Sequence, residues 1–303
     1  MTQTALILGG RGKIGHHATR AFQNAGWQVL QYDRAKDDLN TLAANADVIV
    51  NGLNPPAYHD WANTIPAITK QVIAAAKIND ATVIIPGNVY NFGKTPGTWD
   101  ENTPQLPCSR KGRIRVEMEQ SYRASGVRTI VLRAGNFLDP ERNGCIGSLM
   151  LFRAISKGKI TYAGRHDARQ AYCYLADWAR AAVMLAEMRK ELAGFEDVPL
   201  GGHAFTAVQL QTHLTARLGR PVKIVNFPWW IMTLAAPFWE LAREMREMRY
   251  LWSVDHQLGT DKLHRLVPDF TPSSMAEVME AALPTEIRPD HAMATERRGV
   301  VTP

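Results

Sequence analysis

Thr4-Ala5-Leu6-Ile7-Leu8-Gly9-Gly10-Arg11-Gly12-Lys13-Ile14-Gly15 runs an apolar segment straight into glycines at three-residue intervals. Residues 5–8 read as a buried strand. Ile14, Ala18, Ala21 and Phe22 recur at helical spacing and predict a helix over residues 14–25. Between strand and helix, the glycines allow a tight turn, a close approach of backbone to a pyrophosphate, and packing of helix on strand. The helix N-terminus adds N–H donors and partial positive charge. Gly9, Gly10, Arg11, Gly12, Lys13, Ile14 and Gly15 are therefore read as a dinucleotide-binding loop.

Beyond this loop, short apolar runs alternate with helical patterns, which specifies a parallel sheet covered by helices. Strands are predicted at residues 5–8, 28–32, 48–50, 82–85 and 128–132, and further helices at 61–76 and 114–125. The expected fold is α/β: a Rossmann-type, doubly wound parallel sheet with a smaller C-terminal substrate lobe. Residues 1–140 form the dinucleotide domain, with later strands returning from 160–206. Residues 141–283 form mainly the substrate lobe, and 284–303 a flexible tail.

Ligands of such sheets sit beyond the carboxyl ends of the strands. That rule adds Asn51, Gly52, Leu53, Pro86, Ala134 and Asn136 to the cofactor candidates. At the end of the second strand, Asp33 is placed to take the adenosine ribose hydroxyls of NAD. Arg34 and Arg11 could clamp the 2′-phosphate of NADP. Two cations against one carboxylate favour NADP(H) slightly, with NAD(H) left open.

The bulk composition fits an ordinary globular protein: 303 residues, 46% hydrophobic and 21% charged, which excludes a disordered chain. Lys and Arg exceed Asp and Glu by 35 − 29 = 6, enough to steer anionic small molecules but too scattered for a nucleic-acid groove. Cys108, Cys145 and Cys173 lack metal or disulfide spacing, and no histidine pair has metal spacing, so no metal is expected. A reducing, cytoplasmic compartment is expected, since Met1-Thr2-Gln3 leads directly into the first strand without an export signal.

The chain resembles the extended short-chain dehydrogenase/reductase family, which contains NAD(P)-dependent sugar-nucleotide epimerases, dehydratases and reductases. Four segments carry the resemblance: the glycine loop, Pro86-Gly87-Asn88-Val89-Tyr90, Leu132-Arg133-Ala134-Gly135-Asn136-Phe137, and Tyr172-Cys173-Tyr174-Leu175-Ala176-Asp177-Trp178-Ala179. The resemblance implies bound NAD or NADP, and by analogy it allows a homodimer. It also implies a Tyr-x-x-x-Lys pair and a Ser or Thr, none of which occupies its expected slot. Lys111 occupies the tyrosine slot, Arg115 the lysine slot and Pro86 the serine slot, with Asn88 nearby.

Lys111 is a candidate acid or base. An amine beside an apolar nicotinamide pocket and next to Arg115 is expected to have its charged form disfavoured. Arg115 could hold a ribose or carboxylate through its planar fork, Asn88 could orient a carbonyl, and Tyr58 competes for the acid role. Tyr90 is expected to pack beneath its loop. The aromatic segment from Phe227 to Trp252 is read as core packing with a solvated arginine face, and membrane attachment is not expected. The expected function is an NAD(P)-dependent oxidoreductase or epimerase acting on a small hydroxyl or carbonyl substrate. The alternative is a non-catalytic NAD(P)-binding sensor or regulator.

Overall fold

The structure, a computed structural model, describes residues 2–139, 141, 151–281, 283, 284 and 287. Cys145 and nearly all of the expected tail at 284–303 lie outside them. Among the described residues, thirteen strands run in chain order. β1 (Thr4–Leu8), β2 (Gln28–Tyr32), β3 (Val48–Asn51), β4 (Thr82–Gly87), β5 (Gly97–Trp99) and β6 (Thr129–Arg133) come first. They are followed by β7 (Asn136–Leu138), β8 (Lys159–Tyr162), β9 (Gln170–Tyr174), β10 (Phe195–Pro199), β11 (Ala204–Phe205), β12 (Lys223–Asn226) and β13 (His256–Leu258).

Six of these strands form the central parallel sheet in the order β10-β6-β4-β3-β1-β2. Every residue of β1 and β6 is buried, the pattern of strands covered on both faces. Helices α1 (Lys13–Asn24), α2 (Leu39–Ala43), α3 (Trp61–Ala76), α4 (Arg110–Ser125) and α5 (Leu175–Glu187) belong to this body. Ile14, Ala18 and Phe22 of α1 join the apolar face of α5 in one core. Ile65 and Val72 of α3 join Ile114 and Met118 of α4 in the other core. The sheet is thus doubly wound, as its apolar patterning predicts.

Helix α4 starts four residues before the predicted position. Ser109 caps it, accepting a hydrogen bond from the Gly112 N–H at 3.0 Å, and Gly126 closes it in the left-handed region at φ 73°. The missed turn is the basic run Arg110–Arg113, where the helix is set by the cap and not by apolar spacing. This correction places Lys111 in the first turn of a helix.

The second half holds more strand than its sequence suggests: β7 to β9 and β11 to β13 build three small sheets. Helices α6 (Ala207–Leu218), α7 (Trp229–Ala235) and α8 (Glu240–Glu247) lie in this half. Among the described residues, no helix is long and apolar enough to cross a membrane, and no cluster of His, Cys, Asp or Glu could hold a metal ion.

Candidate active site

The glycine turn has the geometry its spacing requires. Gly9 has φ +77°, and a Cβ at Gly15 would lie 2.2 Å from the Gly9 carbonyl oxygen, so no side chain fits there. Helix α1 begins at Gly12 with no side-chain cap and no acidic residue in its first turn, which leaves N–H donors for an anion. Asn51 fixes the neighbouring loop by donating to the Tyr122 hydroxyl at 3.2 Å and accepting from the Leu53 N–H at 3.2 Å.

Asp33 ends β2 next to this turn. Its carboxylate accepts from the Ala35 N–H at 3.0 Å and from Arg11 at 3.3 Å. One of the two cations counted toward NADP(H) is therefore already offset by the carboxylate it was weighed against. Arg34 is exposed.

A cavity of about 300 Å³ opens beyond the carboxyl ends of β1, β3, β4 and β6. Lys13, Ile14, Asn51, Gly52 and Leu53 line one side. Pro86, Asn88, Ala134 and Asn136 also line the cavity, as do Tyr58, Tyr90 and Arg115. A more polar hollow of about 520 Å³ beside β5 and β13 contains none of the residues singled out from sequence.

Among the residues lining the first cavity, the Tyr58 and Tyr90 hydroxyls are 3.3 Å apart. Tyr90 therefore faces the cavity and is not merely packed beneath its loop. The Asn88 side-chain oxygen accepts from the Tyr90 N–H at 2.9 Å, which fixes the start of this turn. Tyr58 sits in a strained loop: Ala57, Tyr58 and Asp60 have φ of 50°, 63° and 44°. Each such residue costs about 1–3 kcal/mol, strain that persists only where the surroundings enforce it. The surroundings here are Trp61, whose ring lies 5.4 Å from that of Tyr58, and the His59–Glu240 ion pair at 2.8 Å. Glu240 also raises the pKa of His59 through that contact.

Arg115 is buried, with its guanidinium 4.7 Å from the centre of the Trp61 ring, and it donates to the Asn54 side-chain oxygen at 3.0 Å. Its Nε has no partner among the described residues. Burial lowers its pKa. An unpartnered donor at a cavity wall suits a ligand oxygen.

The environment expected for Lys111 is not the one observed. Its side chain is fully buried, does not line the cavity, and is held by two carboxylates instead of lying against apolar surface. The Lys111 ammonium pairs with Glu247 at 2.6 Å and also with Glu244. It lies 5.1 Å from the centre of the Tyr58 ring. Arg110 and Lys111 are cations at the positive end of a helix, an unfavourable placement unless counter-charges are supplied. Helix α8 supplies them: Glu240, Glu244 and Glu247, spaced to share one face, pair with His59, Arg110 and Lys111.

Arg133, conspicuous in sequence as part of a motif, is a buried brace. Its guanidinium binds Glu119 of α4 at 2.8 Å, Asp197 of β10 at 2.6 Å and the Asn88 carbonyl at 2.7 Å. It thereby ties three strands and α4 together beneath Asn88 and Tyr90.

The family model for the NAD dependent epimerase/dehydratase family matches residues 5–201. Among solved structures, the chain is similar to UDP-glucuronic acid 4-epimerase from Bacillus cereus, in complex with UDP-glucuronic acid and NAD. Identity is 15% over 97% of this chain and 100% of that one, with a TM-score of 0.73. It is also similar to the enzyme WbmH from Bordetella bronchiseptica in complex with NAD+, at 16% identity over 93% and 97% of the two chains and a TM-score of 0.68. A nucleoside-diphosphate-sugar epimerase from Pseudomonas aeruginosa matches at 15% identity over 97% and 99%, with a TM-score of 0.68. A search of curated proteins finds no match.

Proposed function

The chain belongs to the NAD dependent epimerase/dehydratase family, and from that premise we propose that it is an oxidoreductase or epimerase whose proton chemistry has moved from the usual helix to the Tyr58–Tyr90 pair. The observation that carries this proposal is the 3.3 Å contact between the two hydroxyls in the lining of the cavity, which Arg115 also lines. The fit of a dinucleotide rests on the Gly15 position that admits no side chain, the uncapped start of α1 and the unpartnered Arg115 Nε.

When bound, a nicotinamide dinucleotide supplies the hydride acceptor or donor. The glycine turn and the α1 N-terminus hold its diphosphate, and Asp33 takes the adenosine ribose hydroxyls, which favours NAD(H). The Tyr58 hydroxyl exchanges a proton with a hydroxyl or carbonyl oxygen of the substrate. Tyr90 accepts or donates the neighbouring hydrogen bond, and Arg115 steadies negative charge as it develops on oxygen. Asn88 orients the carbonyl through its side-chain amide. Lys111 is a positioning residue beneath the Tyr58 ring. The substrate is a small hydroxyl or carbonyl compound, and the sugar nucleotides named for the solved relatives form the first panel to try.

Turnover tests this assignment, followed by chromatographic separation of substrate from product and, where the reaction is a net oxidation or reduction, also by the absorbance of reduced nicotinamide. Tyr58→Phe should lower kcat by about 10²–10⁴-fold with NAD affinity unchanged. An undiminished kcat would remove Tyr58 from the chemistry. Dinucleotide binding with no hydride transfer to any panel member would favour the sensor, a reading consistent with the missing Tyr-x-x-x-Lys pair.

A further inference from the structure

The aromatic segment after β12 is only partly core. Trp229 is buried, but Trp230 is 65% exposed, Leu234 68% and Phe238 93%, with Ile231 and Trp239 also open to solvent. Five large apolar side chains thus project from the short α7–α8 hairpin, which overturns the expectation of ordinary core packing. The charges beside them are equally one-sided. Every carboxylate in this hairpin is used internally: Glu240 by His59, Glu244 by Arg110, and Glu247 by Lys111. Arg243, Arg246 and Arg249 are exposed, and none is in an ion pair among the described residues.

We propose that this hairpin docks on an anionic lipid surface, with Trp230, Leu234 and Phe238 entering the headgroup boundary and Arg243 and Arg246 facing lipid phosphates. Indole and phenyl rings beside arginines that are outside any ion pair among the described residues suit that boundary. A second copy of this chain is a poorer occupant, because a two-fold interface sets the same patch against itself and would bring arginines onto arginines. An acidic lipid surface supplies the missing countercharge without that repulsion. The hairpin carries the glutamate stripe that grips the Tyr58 loop through His59, so docking would put this wall of the cavity close to the bilayer.

Co-sedimentation of the full chain with vesicles tests the proposal. Phosphatidylcholine vesicles containing phosphatidylglycerol should bind the protein, and phosphatidylcholine alone should bind it at least about 10-fold more weakly. The pair Arg243→Gln and Arg246→Gln should weaken binding to the anionic vesicles by a similar factor. The pair Trp230→Ser and Phe238→Ser should abolish it, with thermal unfolding unchanged because these side chains are exposed. No sedimentation with anionic vesicles overturns the proposal. So does binding that neither pair alters, or light scattering that shows a dimer lost on Phe238→Ser.

Discussion

Replacing Lys111 by Met removes an ammonium that is fully buried and held by Glu247 at 2.6 Å and by Glu244. Glu244 is itself buried, and Arg110, its other partner, is largely exposed. Breaking a buried ion pair by removing one member costs about 3–5 kcal/mol, because the remaining charge stays desolvated. An unfolding entropy of about 2.1 cal/mol/K per residue gives ~0.64 kcal/mol/K for a chain of this length. The predicted fall in Tm is therefore about 5–8 °C. Adding Glu247→Gln to Lys111→Met should return part of that loss by removing the stranded carboxylate. Circular dichroism melts of wild type, single and double variants measure both. A Tm within about 1 °C of wild type, combined with lost turnover, would refute the bracing role and return Lys111 to the chemistry.

Arg133→Met should be comparably damaging, at about 3–5 kcal/mol in denaturant titration, since it strands Glu119 and Asp197 in the interior. His256 is fully buried against the Trp99 ring with its Nε2 unpartnered. Burial pushes its pKa down from 6.5 to about 4. The unfolded chain then binds a proton that the folded chain refuses, so the associated stability is complete above pH 6.5 and is lost as pH falls toward 4. The loss amounts to about 3 kcal/mol over that window. His256→Phe should flatten the slope of stability against pH between those limits, and an unchanged slope would contradict the assignment.

Local signals carried most of the dinucleotide body. The strand–glycine–helix unit lies within residues 4–24, and its pattern needs no distant partner to be read. Helix α3, with Ile65, Val72 and Ala75 buried on one face, is legible for the same reason. What escaped depends on contacts far apart in sequence. Lys111 meets Glu247 across 136 residues, and Tyr58 meets Tyr90 across 32, so neither pairing leaves a spacing to find. β5 pairs with β13, Gly97 opposite His256, and three-residue strands carry too little alternation to announce themselves. Tyr90 could have been found: it follows β4 at the carboxyl edge of the sheet, where ligands of this architecture bind. The basic run at the start of α4 carries no apolar spacing and shows no partner in the sequence around it. In the fold it is half neutralised by α8 and half buried, because a helix terminus with cations must find anions elsewhere.

Thermal unfolding of the wild-type chain with NAD⁺ and with NADP⁺ tests the central claim most directly. At about 100 times the dissociation constant, a ligand that binds only the folded state adds ~2.7 kcal/mol, a rise of about 4 °C for this chain length. That rise is expected with NAD⁺, and a smaller one with NADP⁺ at equal concentration. A larger rise with NADP⁺ would reassign the pocket to Arg34 and Arg11. No rise with either would contradict a dinucleotide site at Gly9–Gly15 and the enzyme built upon it.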